Sequence, residues 1–159
     1  MPVHPFPPVY DGNSRVLILG SFPSVASRGA GFYYGHPRNR FWSALAAVLD
    51  APEPHTTAEK KELLLRRGIA LWDAAASCEI TGSSDSSIKN AVPNDLSPIF
   101  ETADIKAVFC NGATAGRIVK KFGLAPGRPV FILPSTSPAN AARSLGSLTD
   151  EWSVIKDYI

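Results

Sequence analysis

One pattern constrains this chain more than any other: short apolar runs ending on small or polar residues, separated by stretches with helical spacing. RVLILG (residues 15–20) ends in glycine, and IALW (69–72), IKAVFC (105–110) and RPVFIL (128–133) follow the same style. Runs with no solvated side suit strands buried on both faces of a parallel sheet. Between them, residues 39–49 put Phe41, Trp42, Leu45, Val48 and Leu49 on one helical face. Thr56 with Glu59 forms a capping box that opens a helix through Arg67, and Gly68 closes it. Residues 94–103 read as a short helix, and Asn111-Gly112 turns into another over 113–122. Leu148, Trp152 and Ile155 share a face near the end. Strands alternating with helices predict an α/β layered fold with a mostly parallel sheet. The polar stretch CEITGSSDSSIKNAVPND is expected to be a loop, and the proline-rich residues 1–14 an extended arm before a single domain over 15–159.

A chain of 159 residues, 45% hydrophobic, can bury a core without staples. No apolar run approaches the roughly 20 residues that cross a bilayer. The start MPVHPFPPVY lacks the charged and apolar regions of a secretory leader, so a cytoplasmic location is expected. The two cysteines, Cys78 and Cys110, cannot make a four-thiolate site, and Cys110 reads as a buried core thiol. His4, His36 and His55 share no ligand-like spacing, so neither a metal nor a cofactor is expected. The net charge of +2 says little about nucleic acid. Its distribution says more: residues 105–143 hold six basic and no acidic residues, whereas 68–104 hold one basic and six acidic. For Lys120 and Lys121 a DNA-facing surface and a plain solvated helix face are equally open.

In parallel sheets ligands bind beyond the carboxyl ends of the strands. Two segments stand out there. The first is GSFPSVASRGAGFYYGHPRNRFW, residues 20–42, whose loop is long and glycine-rich. Its aromatic rings beside small residues and arginines suit stacking on a planar base, although Tyr33 and Tyr34 also suit a core and Asn39 also suits a helix cap. The second is VFILPSTSPANA, residues 130–141. Hydroxyls and backbone N–H groups at a helix start can hold a phosphate, and they can equally close an ST-turn. A serine hydrolase centred on Ser135 is disfavoured, because there is no G-x-S-x-G elbow and no histidine follows it.

The run GFYYGHPRNRFW (31–42), together with ALWD (70–73), SSDSSIKNAVPND (83–95), CNG (110–112) and LPSTSPAN (133–140), resembles the uracil-DNA glycosylase superfamily, closest to its hypoxanthine-DNA glycosylase branch. The mismatch-specific uracil glycosylases come next. The resemblance implies a three-layer α/β/α fold around a mostly parallel four-stranded sheet. It implies a metal-free, monomeric enzyme without cofactor that flips a deaminated base from DNA and hydrolyses its N-glycosidic bond.

Residue by residue, it implies Asn39 as the catalytic, water-positioning group. Phe22 stands where the mismatch-specific branch keeps an asparagine for that task. Tyr34 matches the aromatic that stacks on the flipped base. Ser21, Phe22 and Asp73 fall at base-contacting positions. Ser137 matches a phosphate-holding serine, Ala139 and Asn140 the wedge, and Ser135 replaces a histidine found in some relatives. Ser24, Arg38 and Arg143 complete the expected DNA contacts, with Arg40 a further basic candidate. A non-catalytic sensor of flipped bases and a small-molecule nucleoside hydrolase are the competing classes.

Overall fold

The computed structural model describes residues 7–23, 27–28, 32–81 and 87–159. The four apolar runs form the strands β1 (Val16–Gly20), β2 (Ile69–Asp73), β5 (Ala107–Asn111) and β6 (Val130–Leu133). They make one parallel sheet in the order β2-β1-β5-β6. Every residue of β1 and β5 is buried, as a strand covered on both faces requires.

Successive side chains of these strands point to opposite faces. Val16, Ile18, Ile69, Leu71, Ala107 and Phe109 join one core with helices α1 (Phe41–Leu49), α2 (Thr57–Arg66) and α5 (Leu145–Trp152). Leu17, Leu19, Ala70, Val108 and Cys110 join a second core with α3 (Ser97–Thr102) and α4 (Ala113–Phe122). The molecule is therefore three-layered, α/β/α. Burial pushes the Cys110 thiol up to about 11, with Lys120 opposing weakly, so this cysteine is an inert core group.

The expected capping box forms at α2: the Thr56 hydroxyl accepts from Glu59 N–H, and the Glu59 carboxylate accepts from Thr56 N–H. The N-terminal segment is not free-standing where it is described. Val9 makes an antiparallel bridge with Leu71, exchanging two backbone hydrogen bonds of 2.9 Å.

The expected loop after β2 is a correction. It contains β3 (Ala75–Glu79) and β4 (Lys89–Pro93), an antiparallel pair outside the main sheet. Its polar, irregular residues carry no clean alternation, and its register shifts at two places. Asn94 ties it down, with Nδ2 donating to the carbonyls of Asp73 and Ala75.

The chain runs from β1 outward to β2, then crosses to β5 on the other side of β1. The strand order reverses between β1 and β5, and ligands of open parallel sheets sit beyond the carboxyl ends at such a reversal.

Candidate active site

A cavity of about 600 Å³ opens at that reversal. Gly20, Asp73 and Asn111, the last residues of three neighbouring strands, line it. The remaining walls come from residues 21–23, the aromatic loop with Tyr34 and Asn39, the start of α4, and residues 135–140.

The floor depends on the absence of a side chain at Gly20. A Cβ there would lie 2.3 Å from Asp73 Oδ1 and 2.8 Å from the Tyr34 hydroxyl. The carboxylate and the phenol thus both close on the Gly20 backbone, an approach only glycine permits. Asp73 is 2% exposed yet lines the cavity.

The aromatic loop divides its three rings between two tasks. Phe32 and Tyr33 are buried in the core. The Tyr33 hydroxyl donates to the Pro7 carbonyl, and burial, then the Asp73 carboxylate and Tyr34, hold it far above the ordinary phenol range. Tyr34 is half-buried and faces the cavity. One face of its ring stacks on Phe41 at 4.1 Å and 20°. Its backbone has φ +54°, a left-handed conformation that non-glycine residues seldom adopt and that marks functional loops. The core reading therefore holds for Tyr33, and Tyr34 lines the cavity, where the stacking reading requires it.

Asn39 serves the helix start and also lines the cavity. Its Oδ1 accepts from Phe41 N–H at 2.9 Å, serving a free donor of the first turn of α1. The same oxygen accepts from the Thr136 hydroxyl at 2.8 Å, and the residue lines the cavity.

Residues 135–140 are closed by their own hydrogen bonds. Ser135 Oγ accepts from Ser137 N–H, and Ser137 Oγ accepts from Ala139 N–H. Asn140 Nδ2 donates to the Ser135 carbonyl. The ST-turns exist, and each hydroxyl still has its own O–H to donate to a phosphate. Ser21 and Phe22 are buried in the cavity wall. The Arg28 guanidinium lies 5.6 Å from the centre of the Phe22 ring.

The expected basic contacts separate. Arg38 is exposed at the mouth of the loop. Arg143 donates to Ser147 Oγ and pairs with Glu151. Arg40 turns inward, its guanidinium donating to the carbonyls of Arg143, Ser137 and Asn140. It clamps the 135–143 segment to the start of α1. Arg117, Lys120 and Lys121 are exposed on α4, whose first residues line the cavity. Ser24 lies outside the described residues.

Two site residues were missed by sequence reasoning, Asn111 and Thr136. Asn111 Nδ2 donates to Thr136 Oγ1 at 3.0 Å, and its Oδ1 accepts from Thr136 N–H at 3.0 Å. Asp73, which the resemblance pointed to, is a polar residue ending an apolar strand, and Asn111 shares that feature. No local signal marks Thr136 among its serine and proline neighbours.

Comparison with known proteins agrees with this fold. Residues 7–157 match the family model of the uracil DNA glycosylase superfamily. A hypoxanthine DNA glycosylase from Methanosarcina barkeri is 36% identical over 149 residues, 92% of this chain and 93% of that protein. One from Methanosarcina acetivorans is 34% identical over 94% of this chain and 95% of its own length. A protein from Methanosarcina acetivorans, solved by NMR as a candidate uracil DNA glycosylase, superposes with a TM-score of 0.81 at 32% identity, covering 94% and 93% of the two chains.

Proposed function

The chain belongs to the uracil DNA glycosylase superfamily, and we propose that it is a DNA glycosylase that flips a deaminated base, hypoxanthine foremost, into the cavity and hydrolyses its N-glycosidic bond. The observation that carries the reading is the convergence of Tyr34 and Asn39, from the aromatic loop, and Asp73, from the end of β2, on one cavity at the strand-order reversal.

Cleavage leaves positive charge on the sugar and negative charge on the departing base. Flipping costs a few kcal/mol and is cheapest for a badly paired base, which selects lesions before any pocket contact. Stacking on the face of Tyr34 opposite Phe41 returns about 1–3 kcal/mol. Asp73 supplies an acceptor. Deamination of adenine turns N1 from a lone-pair acceptor into an N–H beside a new carbonyl. A carboxyl oxygen of Asp73 accepts from that N–H and opposes the N1 lone pair of adenine. Uracil and xanthine likewise present an N–H beside a carbonyl. The backbone at Ser21 and Phe22 flanks the base, and Asn39 orients water at the sugar. The hydroxyls of Ser135 and Ser137 and the charges of Arg38 and Arg143 hold phosphates, contacts that position the duplex without reading it. Ala139 and Asn140 sit at the rim, placed to enter the space that the base vacates. The protein works as a monomer at the nucleoid and needs no metal.

The test is base release from oligonucleotides carrying hypoxanthine, uracil or xanthine, single- and double-stranded, in EDTA. We expect release from hypoxanthine DNA undiminished by the chelator. Tight binding without release points to a sensor, release from free deoxyinosine to a nucleoside hydrolase, and rescue by a divalent ion to a metalloenzyme.

A further inference from the structure

The hydrogen bonds around Asn39 say which end of its carboxamide the cavity receives. A backbone N–H can only donate, so the atom accepting from Phe41 N–H is the amide oxygen. That oxygen also receives the Thr136 hydroxyl proton. With the oxygen engaged twice, the group left for the cavity is the Nδ2 amide, a donor.

Thr136 is itself immobilised. It is fully buried, its backbone N–H and its hydroxyl oxygen are both held by the Asn111 carboxamide, and its carbonyl accepts from Arg40 N–H. Because Asn111 Nδ2 donates to Oγ1, the hydroxyl proton is directed away from Asn111, towards Asn39. Donor and acceptor order along the chain is thus set from the end of β5, through the segment after β6, to the start of α1.

We infer that Thr136 is a positioning residue for Asn39: held by Asn111, its hydroxyl locks the Asn39 carboxamide with its oxygen inward and its N–H₂ group facing the cavity. Asn39 then meets the attacking water as a hydrogen-bond donor to the water oxygen, leaving a water lone pair to form the bond to the sugar carbon as the N-glycosidic bond breaks, while the proton that the water loses neutralises the departing base anion. This rests on the glycosylase reading above.

The experiment compares wild type with Thr136→Val, Thr136→Ser, Asn39→Ala, Asn39→Asp and the double variant Thr136→Val/Asn39→Ala. Single-turnover release of hypoxanthine, Kd for the same DNA and melting temperature are measured on each. Thr136→Val keeps the shape and removes the hydroxyl; release should fall at least about fivefold with Kd near wild type, as expected for a group acting on the chemical step. Thr136→Ser should restore release to within about twofold. Adding Thr136→Val to Asn39→Ala should change the rate no further, since the hydroxyl acts only through Asn39.

Asn39→Asp keeps both accepted hydrogen bonds and loses the donor, so release should fall at least about tenfold in a stable protein. This variant decides the orientation even if Thr136→Val does not fold. Wild-type release from folded Thr136→Val, multiplied losses in the double variant, or retained release in Asn39→Asp each overturn the inference. The functional reading fails differently: wild-type protein that releases no deaminated base removes both, and normal release by Asn39→Ala removes the role of Asn39 itself.

Discussion

Helices α1 and α2 both begin with a side-chain oxygen that accepts a first-turn N–H, and the two oxygens end up with different tasks. At α2, Thr56 and Glu59 satisfy the first-turn N–H groups among themselves, exposed to solvent, with hydrogen bonds of 3.1 and 2.9 Å. At α1, Asn39 Oδ1 satisfies Phe41 N–H at 2.9 Å, one residue ahead of the formal cap. The difference lies in the surroundings. Thr56 faces water, whereas Asn39 lines a cavity and shares its oxygen with a hydroxyl 97 residues away. A capping signal in a sequence therefore identifies a helix start. It does not exclude a second use for the same side chain.

The largest expected effect separates the two ends most sharply. Asn39→Ala should cut single-turnover base release at least about tenfold and leave lesion-DNA affinity near wild type. A folded variant with normal release would reduce Asn39 to another Thr56.

Arg40 tests how far the α1 start depends on distant chain. Its guanidinium serves three carbonyls of the 137–143 segment. Arg40→Met should lower the unfolding free energy by about 2 kcal/mol in a denaturant titration, the scale of hydrogen bonds to a charged group. Unchanged stability would show that the segment holds itself.

Thr56→Ala should cost about 1 kcal/mol of stability, as loss of a cap does, with base release per folded molecule unchanged. A loss of catalytic rate at equal folding would contradict the purely local reading of α2.

The smallest effect is a pH dependence. Backbone N–H groups of Thr56 and His55 hold the Glu59 carboxyl below its ordinary range. A folded-state value below the unfolded one gives stability that is present above the unfolded value and lost as pH falls through the folded one. The melting-temperature advantage of wild type over Glu59→Gln should therefore shrink on acidification below about pH 4.3, the unperturbed glutamate value. An advantage constant down to the acid limit would mean that the charge contributes nothing.

Legibility tracked how local each cause was. The parallel strands were legible because burial on both faces writes an unbroken apolar run in β1 and β5, and the edge strand β6 carries such a run although Ile132 is exposed. The β3–β4 pair was not, since Asn94 secures it through the carbonyls of Asp73 and Ala75, about twenty residues back, rather than through an alternating pattern of its own. At the cavity, the unusual loop marked Tyr34 and Asn39 as candidates, and the family resemblance added Asp73. Arg40 was read as a DNA contact by its charge alone, and its inward turn depends on carbonyls about a hundred residues on.

By itself the sequence determined the layered α/β class, the loops that flank the cavity and the helix start at Asn39. Hydrophobic periodicity and capping chemistry act over a few residues and survive translation into one dimension. Only the tertiary structure decided that Gly20 leaves room for Asp73 and Tyr34, and that Thr136 and Asn111 take the Asn39 oxygen. Hydrogen bonds form between groups at about 3 Å whatever their separation along the chain. The orientation of one carboxamide is thus set by three segments that meet only after the sheet has assembled.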